Sequence, residues 1–174
     1  KILSYNIEKI KKYFNDREII IENYAIGSLN KKMLLNQFIE SSSSTLNRIN
    51  EKSKYFKKKI KFLDNKNNEK LFNKVEVNQI KLKDYMLSRN IEIIDFMKID
   101  TEGYEFEVLL GTDDYLSKIK YILFEHHYDD MIEKNYNYSD IHNLLVKNNF
   151  IRIYKSKMPF RKTFEYIYMN KSRA

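Results

Sequence analysis

Residues 93–111 leave this chain few folds to choose from. The stretch opens as a mostly apolar run, Ile93-Ile-Asp-Phe-Met-Lys-Ile99, of the length expected for a strand buried on both faces. It turns through Asp100-Thr-Glu-Gly103. Phe106, Leu109 and Leu110 then recur at helical spacing, and Gly111 is a stop signal. Glu105 and Glu107 stand near the helix start, where negative charge suits the dipole. Strand, acidic turn and helix is the unit with which α/β enzymes present groups at the carboxyl edge of a parallel sheet. Asp100 and Glu102 are therefore the first candidates for chemistry.

The rest of the chain alternates in the same way. Ile2, Leu3, Ile7, Ile10, Tyr13 and Phe14 are spaced as one helical face. Residues 18–26 read as a strand ended by Gly27-Ser28, and 31–39 as a second, more exposed one. A polar loop follows over 41–50, open either to a linker role or to a ligand-facing one. Residues 52–61 hold six lysines and no acid, which reads as a solvated helical or loop face. Residues 64–74 read as irregular, 75–82 as a half-buried strand and 83–89 as a short helix. Strands are expected at 119–127, 151–154 and 164–169, with a helix through Lys147 capped by Ser139 that turns Ile141, Leu144 and Leu145 inward, together with Phe150 beyond its end. Strands alternating with helices imply a largely parallel sheet, and the short final connector makes its last strand antiparallel.

Ligands of open α/β sheets sit beyond the carboxyl ends of the strands. Asp100 and Glu125-His126 close two consecutive strands expected to be neighbours. A group transfer to a nucleophile held there needs in-line placement and a base for the departing proton. Asp100, Glu102 and His126 are the candidates for that base; alternatively the two acids only cap the next helix. Asp100, Glu102, His126 and Asp129 also contain metal-ligand types, but their spacing matches no dedicated motif, and no metal site is assigned.

The motifs carry a resemblance. Met97-Lys-Ile-Asp-Thr-Glu-Gly-Tyr-Glu105 followed by Glu107-Val-Leu-Leu-Gly111 resembles the signature of FkbM-type methyltransferases. Tyr24-Ala-Ile-Gly-Ser28, Ser41-Ser-Ser-Ser-Thr-Leu46, Val75-Glu-Val77 with Leu82-Lys-Asp-Tyr85, and Ile122-Leu-Phe-Glu-His126 resemble further elements of that family in the same order. The resemblance implies a partial Rossmann-like methyltransferase fold in one domain and S-adenosylmethionine as cofactor. The acceptor it implies is a small-molecule or glycan hydroxyl. By the same analogy Tyr24, Ala25, Ile26, Gly27 and Asp100 flank the cofactor. The family pattern begins with a strand, a glycine-rich turn and an acidic strand, which would precede residue 1. Gly27, Gly103 and Gly111 are the only glycines, so this chain alone is expected to bind the cofactor weakly or not at all. Closing the resulting gap in the sheet predicts that 18–26 pairs directly, in parallel, with 93–99. The resemblance thus implies the C-terminal part of an S-adenosylmethionine-dependent O-methyltransferase; a truncated, non-catalytic domain that acts through binding or assembly is the alternative.

Composition bounds the rest. There is no cysteine, no 18-residue apolar run and no signal-like apolar segment at the start, which suits a cytoplasmic protein without a membrane span. A net charge of +8 raises the possibility of nucleic-acid binding through the lysine-rich stretch. Lysine outnumbers arginine 26 to 6 among 19 asparagines, however, the mark of an AT-rich coding bias rather than of base readers. Residues 92–140 carry 13 acidic and 4 basic side chains, a local −9 that would repel phosphates. Nucleic acid is therefore not an expected partner.

Overall fold

The computed structural model describes residues 18–38, 44–63, 72–159 and 161–173. The amphipathic segment expected over 2–14 lies outside them. Seven strands form two sheets. The first contains β1 (Tyr24–Ile26), β2 (Lys31–Phe38) and β3 (Phe72–Ile80) in the order β1-β3-β2. The second contains β4 (Ile94–Ile99), β5 (Ile119–His127), β6 (Phe150–Lys157) and β7 (Thr163–Asn170) in the order β4-β5-β7-β6. Helices α1 (Lys54–Leu63), α2 (Leu82–Ser88), α3 (Glu105–Leu110) and α4 (Tyr138–Lys147), with a 3-10 turn at Asp113–Lys118, connect them.

This is an α/β fold, but not one mostly parallel sheet. Only β1–β3 and β4–β5 pair in parallel; β2–β3, β5–β7 and β6–β7 are antiparallel. The neighbourhood of β4 and β5 and the antiparallel final strand agree with the sequence reading. The expected pairing of 18–26 with 93–99 does not form. β1 instead takes its hydrogen bonds from β3, with Tyr24 opposite Asn78 and Ile26 opposite Ile80, and the Gly27 amide extends the ladder to the Ile80 carbonyl at 3.0 Å. Among the described residues no strand pairs with the outer edge of β4.

That edge position overturns a second expectation. An apolar run predicts burial on both faces, yet of β4 only Ile99 is buried, and Phe96 is 56% exposed. A mostly apolar run says that a strand wants covering; its neighbours decide whether it is covered. The main core lies beneath β5 and β7, where Met86, Ile99, Leu109, Ile119, Ile122, Phe124, Ile141, Leu145 and Tyr168 are nearly or fully buried. A smaller cluster of Phe38, Phe56, Met131 and Ile132 lies where β2 and α1 meet the loop after β5.

Local signals explain most of the remaining elements and correct a few. The lysine-rich stretch is helix α1, begun by Ser53, whose Oγ accepts from the Phe56 amide at 2.9 Å. Strand β3 starts earlier than expected, at Phe72, opposite Phe38; residues 64–71 lie outside the described part. The N-cap of α4 is Asn137, not Ser139. Asn137 accepts from the Ser139 amide at 2.8 Å while Asp140 accepts from the Asn137 amide, a reciprocal capping box. Among the described residues no helix is long and apolar enough to cross a membrane.

Candidate active site

The two sheets are held together at one corner by close backbone contact. A Cβ on Gly111 would lie 2.1 Å from the Gly27 carbonyl oxygen, so only glycine fits there. The Lys83 amide donates to the Gly111 carbonyl at 3.1 Å, and Ser28 Oγ donates to Glu107. Buried Gln79 closes the corner: Tyr104 Oη donates to its Oε1 at 2.8 Å, and its Nε2 donates to the Leu29 carbonyl at 2.7 Å. Away from this corner the sheets part.

They part around a cleft of about 590 Å³. One wall is β1 with Tyr24, Ala25 and Ile26; the other is the end of β4 with Met97, Lys98, Ile99, Asp100 and Thr101. Ser44, Thr45 and Leu46 close one side, and Tyr104 and Val108 of the α3 region form part of the floor. Both flanking strands belong to parallel pairs, and the cleft receives their carboxyl ends. The size is within the range of small-molecule sites, as is the mostly apolar lining with a few polar groups.

The acidic turn is fixed from several sides. Glu102 and Gly103 have φ of +49° and +90°, so the chain reverses sharply after Asp100. Thr45 Oγ1 donates to the Glu102 carbonyl at 2.8 Å and Asn47 donates to the Gly103 carbonyl. Glu105 is fully buried; its Oε1 accepts from the Gly103 amide at 2.8 Å and from Thr101 Oγ1 at 3.2 Å, and its Oε2 accepts from Tyr136 Oη. Burial and the Glu105 charge push the Tyr136 hydroxyl far above its ordinary pKa, so it remains a donor.

The candidate residues divide between the two faces of β5. Asp100 lines the cleft, and its Oδ2 is 2.9 Å from Lys98 Nζ. The same ammonium is 3.8 Å from Glu125 Oε1. Burial first, then the Asp100 charge, push the Glu125 carboxyl above its usual range, against the pull of Lys98. Glu102 turns toward His127 instead, with Oε2 3.5 Å from Nε2. Asp129 Oδ2 stands 3.8 Å from His127 Nδ1, and Thr163 Oγ1 is 3.1 Å from the same nitrogen. Burial opposes a charge on His127, but Asp129, Glu102 and Glu105 outweigh it and raise its pKa.

His126 points to the opposite face, as strand alternation requires. Its ring packs against Tyr128, Tyr136 and Tyr138, and its Nδ1 is buried without a hydrogen-bond partner. Burial, followed by the charges of Lys134 and His127, lowers its pKa to about 4. The structure thus brings Asp100 to the cleft, Glu102 to His127, and neither to His126.

Of the residues expected to flank a cofactor, Tyr24, Ala25, Ile26 and Asp100 line the cleft together. Gly27 lies just past β1, packed against the Gln79 amide, where an added Cβ would approach within 2.4 Å. Its role is close packing at the corner. The sequence set Glu125 beside Asp100 without giving it a role, and Lys98 and Thr101 were passed over. The signal for Lys98 was present, since two residues before Asp100 on a strand is the same face. Among the described residues no group of three or more His, Asp or Glu side chains is arranged to hold a metal ion.

Comparison with known proteins gives the family. Neither the curated proteins nor the solved structures contain a significant match. The family model of the methyltransferase FkbM domain matches residues 1–152. That match spans both sheets' parallel pairs, the cleft between them and the acidic turn, and the chain accordingly belongs to the FkbM methyltransferase family.

Proposed function

We propose that the chain transfers the methyl group of S-adenosylmethionine to a hydroxyl of a sugar or other small metabolite, and that the cofactor occupies the cleft between β1 and β4. The observation that carries this reading is the meeting of Tyr24, Ala25 and Ile26 with Asp100, 74 to 76 positions further along the sequence, around one cavity of about 590 Å³. The residues present suit the group in chemistry. Tyr24 and Ile26 offer apolar and aromatic surface to an adenine, and the Asp100 carboxylate can accept from ribose or acceptor hydroxyls. Lys98 adds a cationic donor to the lining. When bound, the cofactor supplies an electrophilic methyl group. What this chain contributes is binding, orientation and a place for the departing proton.

Asp100 is the carboxylate that lines the cleft and so the base this reading favours. Glu102 and His127 act behind it by fixing the acidic turn. His126, uncharged at neutral pH and facing the tyrosines, would need a path around β5 to receive a proton. No glycine among Gly27, Gly103 and Gly111 opens backbone to the cleft; each is closed by a packed neighbour. Affinity for the cofactor is accordingly weak, on the order of 0.1–1 mM or about −4 to −5.5 kcal/mol.

The test is methyl transfer from labelled cofactor to a panel of glycans and hydroxylated metabolites, with Asp100→Asn and His126→Ala beside the parent. The reading expects Asp100→Asn to lower kcat/KM at least tenfold, about 1.4 kcal/mol of transition-state stabilisation. A loss within threefold for Asp100→Asn removes its assignment as base.

A further inference from the structure

We propose that Asp100, which lines the cleft, and Glu125, behind it on the other side of Lys98, make the site prefer the positively charged sulfonium cofactor over the neutral thioether left after transfer. This rests on the reading that the cofactor occupies the cleft.

Three observations meet here. Lys98 and Asp100 both line the cavity, and the Lys98 ammonium stands 2.9 Å from Asp100 and 3.8 Å from Glu125. The β4–β5 register ends with Ile99 opposite Phe124, so the next pair along sets Asp100 beside Glu125. Across the next strand, β7 sets Glu165 directly opposite Glu125. Two carboxylates therefore share one ammonium, with a third beside them. His127 already stands between Glu102 and Asp129. The crowding is felt locally: burial and the neighbouring Asp100 raise the Glu125 pKa, and Glu165 adds to the effect.

The wider charge distribution points the same way. The chain carries +8, yet residues 92–140, which include the acidic turn, α3 and β5, carry 13 acidic and 4 basic side chains. A cleft with low-dielectric walls focuses such a field. Cofactor and product share the same adenosine and amino-acid parts, and differ by one methyl and one unit of charge. Their apolar contacts with Tyr24 and Ile26 are therefore nearly equal, and the ratio of the two affinities reports the field at the sulfur. A negative mouth holds the substrate form and lets the product go.

The experiment measures Kd for S-adenosylmethionine and S-adenosylhomocysteine by competition titration of the full chain, at about 50 mM and about 500 mM salt. Glu125→Gln removes one negative charge and is expected to lower the preference for the sulfonium about threefold; Lys98→Met removes the compensating cation and is expected to raise it about threefold. Higher salt narrows the parent's preference. Glu125→Asp keeps the charge and retains the parent ratio. Because a merely structural loss weakens both ligands alike, it cancels in the ratio. A ratio unmoved in Glu125→Gln and Lys98→Met while both ligands still bind overturns the proposal and leaves the cofactor reading intact. Absence of binding by either ligand to the parent overturns both.

Discussion

Gly111→Ala tests how the two sheets are joined. Gly111 has φ −70° and ψ −9°, a conformation any residue adopts, so alanine introduces no backbone strain. The cost is steric. The new Cβ would sit 2.1 Å from the Gly27 carbonyl oxygen and 2.8 Å from its carbon. Relief to an ordinary contact of ~3.4 Å requires the end of α3 and the turn after β1 to separate by about 1.3 Å. That movement strains the Lys83 bond to Gly111, the Gly27 bond to Ile80 and the Tyr104 bond to Gln79. Overpacking of this kind costs about 1–3 kcal/mol, and the unfolded chain returns up to ~1 kcal/mol because alanine has less freedom to lose. The net is about 1 kcal/mol. For a chain of this size that is a fall in Tm of roughly 2–4 °C. Thermal unfolding followed by circular dichroism measures it. A Gly111→Ala variant melting within 1 °C of the parent, or above it, would refute the claim that these two glycines form the joint.

Other consequences follow from the same geometry. His126 is held uncharged with a pKa near 4 against an ordinary 6.5, so its contribution is present above pH 6.5 and is lost as pH falls toward 4. His126→Leu should flatten the stability profile over that window, where the parent loses on the order of 3 kcal/mol; an unchanged slope counts against the assignment. His127 has the opposite sign. Its raised pKa makes its contribution complete below pH 6.5 and lost as pH rises through the folded value. His127→Gln should therefore cost more stability at pH 6 than at pH 9, and equal losses contradict it. At α4, Asn137→Ala should cost about 1 kcal/mol and Ser139→Ala much less; the reverse order in chemical denaturation restores Ser139 as the cap.

Much of this was written locally in the chain. The run to Ile99, the turn through Gly103 and the stop at Gly111 specify strand, reversal and helix. The body of β5 follows from the apolar run Tyr121–Phe124, which closes in Glu125, His126 and His127. What was hidden was long-range. Nothing in Tyr24-Ala-Ile26 tells that its hydrogen bonds go to β3 rather than β4, because edge backbone groups are alike and partner choice depends on the whole fold. The apolar content of β4 announced a need for burial that its position leaves unmet. The site differed by one residue: Glu125, His126 and His127 are consecutive, and period-two alternation sends only Glu125 and His127 toward the acidic turn. The sequence could nominate the cluster, while the face depended on register.

The most direct test of the central claim is a titration of isotope-labelled chain with S-adenosylmethionine, followed by methyl resonances. The account predicts shifts concentrated at Ala25, Ile26, Met97 and Ile99, saturating with a Kd of about 0.1–1 mM, and weakened at least threefold by Tyr24→Ala. Shifts clustered away from β1 and β4, or none up to several millimolar cofactor, would contradict the account.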